Sequence, residues 1–569
     1  MGGEGGYQFG TNIAINNTST ETYDKQANEN TGGENVKSMS KRPWHKWYTN
    51  TDTPELLEIS VYELLERTVA LFPNRDAIIY EEETITYFEL KQKVDKLAGK
   101  WKSTKFKKGE RIGLMMSNHP AYIICYYAAQ KLGMIVVQIN PMYTFRELMQ
   151  IITDSMTDYI VFDEGAEKTV KEVELIYSFK ASMSIYERKD EASIPMLIQD
   201  GKSIDSYEKV APRIDIAVIQ YTGGTTGKMK GAMLTHYNLT SNVIQSFTMY
   251  GDMLKPGKEM ILTATPLYHV YAMTSAMNLG IYLGATILLF KKFEIKDVLE
   301  KIQSNRPTFF PGVPRMYNAF INYPDIASYD LTCFKMCSCG SAPLPIEVIK
   351  QFETLTGRKI GEGFGMSEAS PSTHRNPPKG IRKIGSIGIP LPGTDCMIVD
   401  ENNLPLQEKF VGELLIKGPQ IMMGYWNNPA ETEHVLKNGW LYTGDLAIMD
   451  EDGYFYIVGR KKEMIIVNGF NIYPQEVEEV LYEHPDIKEA AVVGVPDSVS
   501  GEVVKAFVVP KDNVLIDLDE VKGYCYSKLT PYKVPKEFEI RAELPRNTVG
   551  KLLKRLLIKE EMSKREENE

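Results

Sequence analysis

Along the chain the apolar positions alternate between a helical period and an extended one. Residues 62–71 repeat apolar side chains at helical spacing, residues 77–80 read as extended, and a second helical run follows Thr86. Thr86 with Glu89, and Thr144 with Glu147, have the spacing of capping boxes, in which each side chain satisfies a backbone donor left free at a helix start. Short β-branched runs at 135–137, 216–219 and 286–289 read as buried strands between helices. This alternation predicts an α/β fold. After Gly412 the texture changes to short strands and turns, at 412–417 and 453–458, ending in the charged run Gly459-Arg-Lys-Lys462. A compact αβ segment follows, with a helix expected at 476–482 and strands at 490–495 and 503–509. The expected architecture is therefore a large N-terminal domain of αβ-layered subdomains plus a β-rich subdomain, residues 43–461, and a small C-terminal α+β domain, residues 462–569. Residues 1–42, rich in Gly, Asn, Thr and Glu, read as an unstructured tail with no apolar run of the secretory kind. No internal repeat of a solenoid kind is evident.

Composition narrows the classes. A chain of 569 residues exceeds one compact core, and 43% hydrophobic with 25% charged residues matches a soluble globular enzyme. With 65 basic and 75 acidic residues the formal charge is −10, which offers no broad positive field to nucleic acid. Six cysteines are too sparse for a disulfide framework, and Cys333, Cys337 and Cys339 lack a second ligand pair at zinc spacing, so a reducing cytoplasm is expected. The most apolar window, 122–139, is broken by Gln130, Lys131 and Gly133 and falls short of a membrane span. Peripheral contact with the inner face of a membrane, through Lys105-Phe-Lys-Lys108, and a homodimer are compatible with the sequence, although a solvated charge run is the simpler reading of those lysines.

The segment richest in chemistry is Tyr221-Thr-Gly-Gly-Thr-Thr-Gly-Lys-Met-Lys-Gly231. Its glycines (Gly223, Gly224, Gly227) let a loop curl around an anion. The hydroxyls of Thr222, Thr225 and Thr226 are suited to bond phosphate oxygens, and Lys228 and Lys230 to neutralise their charge. A Walker loop needs four residues between its glycine and Gly-Lys, a following Ser or Thr, and then a helix. Here three residues separate Gly223 from Gly227, Met229 follows Lys228, and 231–235 reads as extended. The plain alternative is a mobile surface hairpin.

Further motifs follow in order: Pro266-Leu-Tyr-His269, Cys339-Gly-Ser-Ala-Pro-Leu-Pro345, Glu362-Gly-Phe-Gly-Met-Ser-Glu368, Gly439-Trp-Leu-Tyr-Thr-Gly-Asp445, Gly459-Arg460 and Leu544-Pro-Arg-Asn-Thr-Val-Gly-Lys551. This ordered set resembles the adenylate-forming superfamily of acyl-CoA synthetases, firefly-type luciferases and peptide-synthetase adenylation domains, from about residue 44 to about 559. The resemblance implies ATP, Mg²⁺ and coenzyme A as co-substrates and cofactor. It implies Glu368 with Ser367 at the metal, where hard oxygen donors suit magnesium. It places Phe364 on adenine, with Gly340, Ser341, Ala342, Pro343, Glu362, Gly363 and Gly365 around it, and Asp445 with Arg460 at the ribose. Lys551 is implied as the cation of the adenylation step: a carboxylate attacking phosphorus is already ionised, so the barrier lies in bringing two anions together. On its own, Lys551 would read as part of a basic helix start, and His269, implied near the acyl site, as a core histidine. The family also implies a mobile small domain hinged at Lys462, whose rotation withdraws Lys551 and brings Val467, Asn468 and Gly469 toward coenzyme A.

Within the superfamily, Val136-Val-Gln-Ile-Asn-Pro-Met-Tyr143, Phe310-Pro-Gly-Val-Pro-Arg315 and Lys505-Ala-Phe-Val-Val509 look like bacterial long-chain fatty acid ligases. Tyr268, Val270, Met273, Gly312 and Val313 are acyl-site candidates and equally plausible core. Four positions depart from the usual pattern: Met229 for proline, Ala272 for glycine, Met156 for glycine and Ser367 for threonine. They leave two alternatives standing, a medium-chain or aryl acid ligase and a nucleotide-binding protein with little turnover.

Overall fold

The computed structural model describes residues 42–48, 54–187, 192–223, 229–378, 380–497, 500–547 and 550–566. The tail expected at 1–42 lies almost wholly outside them. Both capping boxes form: Thr86 starts the helix Tyr87–Ser103 and Thr144 starts Phe145–Ser155, each hydroxyl accepting from the amide of the glutamate three residues on. The buried runs become the strands Ile135–Ile139, Ile216–Gly223 and Thr286–Leu289.

Four sheets organise the described residues. In the nine-stranded sheet, Asp76–Tyr80, Thr286–Leu289, Met260–Thr263, Phe309–Gly312, Met336–Cys339 and Ile360–Gly365 run parallel in that order. The seven-stranded sheet is parallel through Ile135–Ile139, Arg111–Met115 and Tyr159–Phe162, and turns antiparallel where Ile216–Gly223 meets Met229–Thr235. A third sheet is built from Asp395–Val399, Gly412–Lys417, Trp440–Met449 and Phe455–Arg460, with the short strand Leu436–Lys437 on Trp440–Met449. These three form the large N-terminal domain. The fourth, centred on Ile487–Asp497 and Gly501–Pro510, forms the smaller C-terminal domain.

Between the first two sheets lie helices with no polar face. Every residue of Pro120–Lys131 is buried, as a helix sandwiched between sheets must be. Lys131 is accommodated because its ammonium meets Asp95 at 2.6 Å and the Tyr62 hydroxyl at 2.9 Å. One core cluster draws residues from both sheets, and the C-terminal domain has its own, around Ile465, Val477, Val492 and Val508. The strand expected at 453–458 instead runs Phe455–Arg460, because Asp450 caps a turn there: its Oδ1 accepts from the amides of Asp452 and Tyr454, with Gly453 at φ +87°. Among the described residues no helix is long and apolar enough to cross a membrane.

Candidate active site

The strands that flank the glycine-rich segment pair antiparallel as a hairpin. Ile216–Gly223 leads in, Met229–Thr235 leads out, and Gly223 pairs with Met229 at the mouth; the next helix begins only at His236. A strand, not a helix, follows the loop, so the arrangement is not a Walker loop. Gly224, Thr225, Thr226, Gly227 and Lys228 lie outside the described residues. Thr222 pairs with Lys230 across the hairpin, and the Lys230 ammonium forms an ion pair with Glu431. The hairpin is anchored from below by Tyr221, whose hydroxyl donates to Asp154 at 2.5 Å.

Three neighbouring parallel strands bring the next candidates to one edge of the first sheet, since their carboxyl ends lie together. Phe309–Gly312 delivers Gly312 and Val313, Met336–Cys339 delivers Gly340 to Pro343, and Ile360–Gly365 carries Glu362, Gly363, Phe364 and Gly365. Ser341 holds φ +69° and its buried hydroxyl has no partner among the described residues. Gly365 is fixed by close approach: a Cβ there would lie 2.3 Å from the Pro371 carbonyl oxygen. Glu362 accepts from the Gly385 amide at 3.0 Å, and burial pushes its carboxyl up to about 7. The Phe364 ring is half-buried and stands edge-on to His374 at 6.1 Å.

Directly after this strand, Ser367–Ala369 makes a single tight turn bearing Glu368. Glu368 Oε1 accepts the Tyr425 hydroxyl at 2.7 Å, and its Oε2 has no hydrogen bond among the described residues. Among those residues no group of three or more His, Cys, Asp or Glu is placed to hold a metal ion. One carboxylate beside one hydroxyl does fit magnesium, which keeps several waters and takes its other ligands from phosphates.

Asp445 and Arg460 are cross-strand partners in the third sheet, and Arg460 Nε meets Asp445 Oδ1 at 3.0 Å. Asp445 is 3% exposed and its Oδ2 has no hydrogen-bond partner among the described residues. Burial holds its carboxyl above the usual range despite the pull of Arg460 and Lys551, so further hydrogen-bond donors are needed to stabilise the charge. The 3₁₀ turn Lys461–Glu463, containing Lys462, follows at once and leads into the C-terminal domain.

Lys551 is not part of a helix start, for the last helix begins at Lys554 and it is Lys554 that binds Glu478, at 2.8 Å. Instead Lys551 closes a small loop with Asn547, whose side chain accepts its amide at 2.8 Å. The ammonium interacts electrostatically with Arg460, Asp445, Glu463 and Glu368. The positive charge of Arg460, followed by desolvation, holds its pKa below the usual value. The field of Lys551 also reaches His269. That imidazole caps the short helix Val270–Ala272, its Nδ1 accepting from the Tyr271 amide at 3.3 Å, which leaves the proton on Nε2. Burial, helped by Lys551, pushes the ring down to about 4 and keeps it neutral.

The structure thus brings Glu368, Asp445, Arg460, His269 and Lys551 together from both domains. Tyr268, Val270, Met273, Gly312 and Val313 are buried, and Met273 accepts on sulfur from Gln138 Nε2 at 2.8 Å. Val467, Asn468 and Gly469 turn a hairpin that is held within its own domain, the Asn468 amide donating to Ser500. Sequence reasoning missed Tyr425 and Glu431. Neither belongs to a recognisable motif of its own, and only the strand pairing of 424–425 brings them to the site.

A family model described as AMP-binding enzyme matches residues 65–426, and one described as AMP-binding enzyme C-terminal domain matches 476–551. The chain is 41% identical over 554 residues to a long-chain-fatty-acid–CoA ligase of Bacillus subtilis (strain 168), spanning 92% of this chain and 99% of that protein. It superposes on ATP-bound MatB from Rhodopseudomonas palustris with TM-score 0.81 at 28% identity, covering 88% of this chain and 99% of that one. Against apo MatB the TM-score is 0.72, with the same identity and coverage.

Proposed function

The chain belongs to the AMP-binding enzyme family, and on that premise we propose that it is an ATP- and Mg²⁺-dependent fatty acid–CoA ligase acting on long-chain acids. The observation that carries the reading is the convergence of Lys551, from the small domain, on Arg460, Asp445 and Glu368 of the large one. In the first half-reaction the fatty carboxylate attacks the α-phosphorus of ATP and pyrophosphate leaves. Both reactants are anionic, so fixed cations placed where they meet lower the barrier, and no general base is needed. Lys551 and Arg460 supply those cations. The unpartnered Asp445 Oδ2 accepts from the ribose hydroxyls, and neutral His269 donates through Nε2–H toward the acyl carboxylate. Glu368 and Ser367 would hold a magnesium ion, which when bound would supply positive charge to the phosphates.

In the second half-reaction the coenzyme A thiol attacks the activated carbonyl, forming the thioester and releasing AMP. We assign this step to a rotated small domain, residues 462–569 turning about Lys462 against residues 43–461, with the 467–469 hairpin approaching the pantetheine arm. The closer match to ATP-bound than to apo MatB supports reading the present arrangement as the adenylation state. Long acyl chains are favoured because each buried methylene contributes about 0.8 kcal/mol. All six cysteines are free thiols, in keeping with a cytoplasmic setting where ATP and coenzyme A are supplied. The test is a panel of acids from acetate to oleate, with and without coenzyme A, followed for AMP and pyrophosphate. Long-chain acids should give the highest kcat/KM, and turnover confined to short acids would overturn the assignment.

A further inference from the structure

The turn carrying Glu368 is tied to the phosphate hairpin by a strap. Gly424–Tyr425 adds a short antiparallel strand to the second sheet, pairing Gly424 with Met233 and Tyr425 with Ala232 on the outgoing hairpin strand. Main-chain bonds extend the link in both directions. The Trp426 amide donates to Gly231 at 2.7 Å, that of Met423 to Met233 at 3.0 Å, and that of Met422 to the carbonyl of Glu368 at 2.8 Å. Side chains repeat the connection. The Tyr425 hydroxyl donates to Glu368 Oε1 at 2.7 Å, and the Lys230 ammonium lies 5.4 Å from the centre of the Tyr425 ring while paired with Glu431. Thr432 Oγ1 accepts the Tyr425 amide at 2.9 Å and fixes the residue from behind. Tyr425 is 7% exposed, so its hydroxyl is committed to the carboxylate rather than shared with bulk water.

We infer that Tyr425 is a positioning residue for the metal ligand: its hydroxyl engages one oxygen of Glu368, holds the carboxylate in one rotamer, and turns the second oxygen toward a divalent cation on the nucleotide. The inference rests on the proposed magnesium role of Glu368. Its physical basis is the difference between two cations. Magnesium demands near-ideal octahedral geometry, whereas calcium tolerates flexible sites and accepts both oxygens of a carboxylate at once. A hydrogen bond to Oε1 uses one of its two lone pairs and draws charge from it, which disfavours two-oxygen coordination and pre-sets the one-oxygen mode that magnesium uses. Tyr425 thereby acts on metal choice as well as on metal affinity.

The test uses the full-length protein without fatty acid, so that nothing turns over, and reads ATP binding by calorimetry at stepped Mg²⁺ or Ca²⁺ concentrations. In Tyr425→Phe the Mg²⁺ concentration for half-maximal ATP binding should rise about tenfold, as for loss of other outer-shell partners. The Ca²⁺ value should rise less, and metal-free ATP binding should be unchanged. In a Glu368→Gln background the same substitution should add nothing, because the two act as one unit. An unchanged Mg²⁺ requirement in Tyr425→Phe, alongside a raised one in Glu368→Gln, overturns the inference while sparing the role of Glu368. Equal weakening with Mg²⁺, with Ca²⁺ and without metal also overturns it, since that is what a packing defect produces. If Glu368→Gln itself keeps the wild-type metal dependence, the magnesium reading fails and the inference falls with it. Should Tyr425→Phe not fold, Thr432→Val, which removes the acceptor for the Tyr425 amide, should shift the Mg²⁺ requirement in the same direction, and no shift counts against the proposal.

Discussion

Replacing Lys551 with alanine should separate the two half-reactions. Among the described residues its ammonium forms no salt bridge, and its strongest neighbour is the like charge of Arg460. Truncation leaves the buried Asp445 still paired with Arg460, so stability should stay within about 0.5 kcal/mol of wild type. The repulsion between Lys551 and Arg460 is relieved when the carboxylate and the α-phosphate enter, so the lysine contributes more to the transition state than to the resting enzyme. A unit charge about 4 Å away contributes about 4 kcal/mol at the effective dielectric of a partly buried site, and loss of one preorganised charge-stabilising group typically costs about 10²- to 10³-fold in rate. Acid-dependent exchange of labelled pyrophosphate into ATP should fall by that factor in Lys551→Ala. Conversion of supplied oleoyl-adenylate and coenzyme A to oleoyl-CoA should stay within a few-fold of wild type, because that step is assigned to the rotated domain. Equal loss in both assays, or a marked fall in melting temperature, would refute the reasoning.

Other outcomes follow from the same geometry. Asp445→Asn removes the charge that binds Arg460 and the acceptor assigned to ribose, so KM for ATP should rise about 10- to 100-fold, as for loss of a charged hydrogen bond of about 1.5–3 kcal/mol; steady-state kinetics at varied ATP reads it. His236 and His374 are fully buried, and burial pushes them down to about 4 and about 3. Below the unfolded value of about 6.5 the unfolded chain binds protons that the native one does not, so stability should fall as pH drops from about 6.5 toward 4, by about 2 kcal/mol per histidine at pH 5. Denaturant midpoints at pH 7 and pH 5 check this, and a midpoint independent of pH would contradict it. Met156 caps its helix at φ +50° with an exposed side chain, a conformation that costs a non-glycine residue about 1–2 kcal/mol. Met156→Gly should therefore raise the melting temperature, and Met156→Val should lower it.

What could be read from the sequence was largely what is local. The capping glutamates sit three residues from Thr86 and Thr144, so both helix starts were visible in the pattern. The glycine-rich hairpin was visible because Met229 and the extended residues after it rule out a helix there. Asp445 and Arg460 stood out as separate motifs, but that they meet depends on the register of two strands joined by the turn at Asp450, and the same turn shifted the second strand from its expected place. Without the family resemblance Lys551 could not be told from the basic residues after it, and the ion pair of Lys554 with Glu478 is what separates them in the fold. Tyr425 and Glu368 are 57 residues apart, and Lys230 and Glu431 are 201 apart. No local periodicity encodes such pairs, which depend on strand 424–425 joining the edge of the second sheet. The acyl candidates Tyr268, Val270 and Met273 belong to the main core cluster, so an apolar pattern alone could not separate lining from packing.

The central claim is that a fatty carboxylate oxygen attacks the α-phosphorus of ATP. Its most direct test is to supply oleate labelled with ¹⁸O in the carboxyl group, together with ATP, Mg²⁺ and coenzyme A, and to weigh the AMP released. One ¹⁸O atom should appear in each AMP phosphate, with one pyrophosphate formed per turnover. Unlabelled AMP, or ADP in its place, would contradict the account.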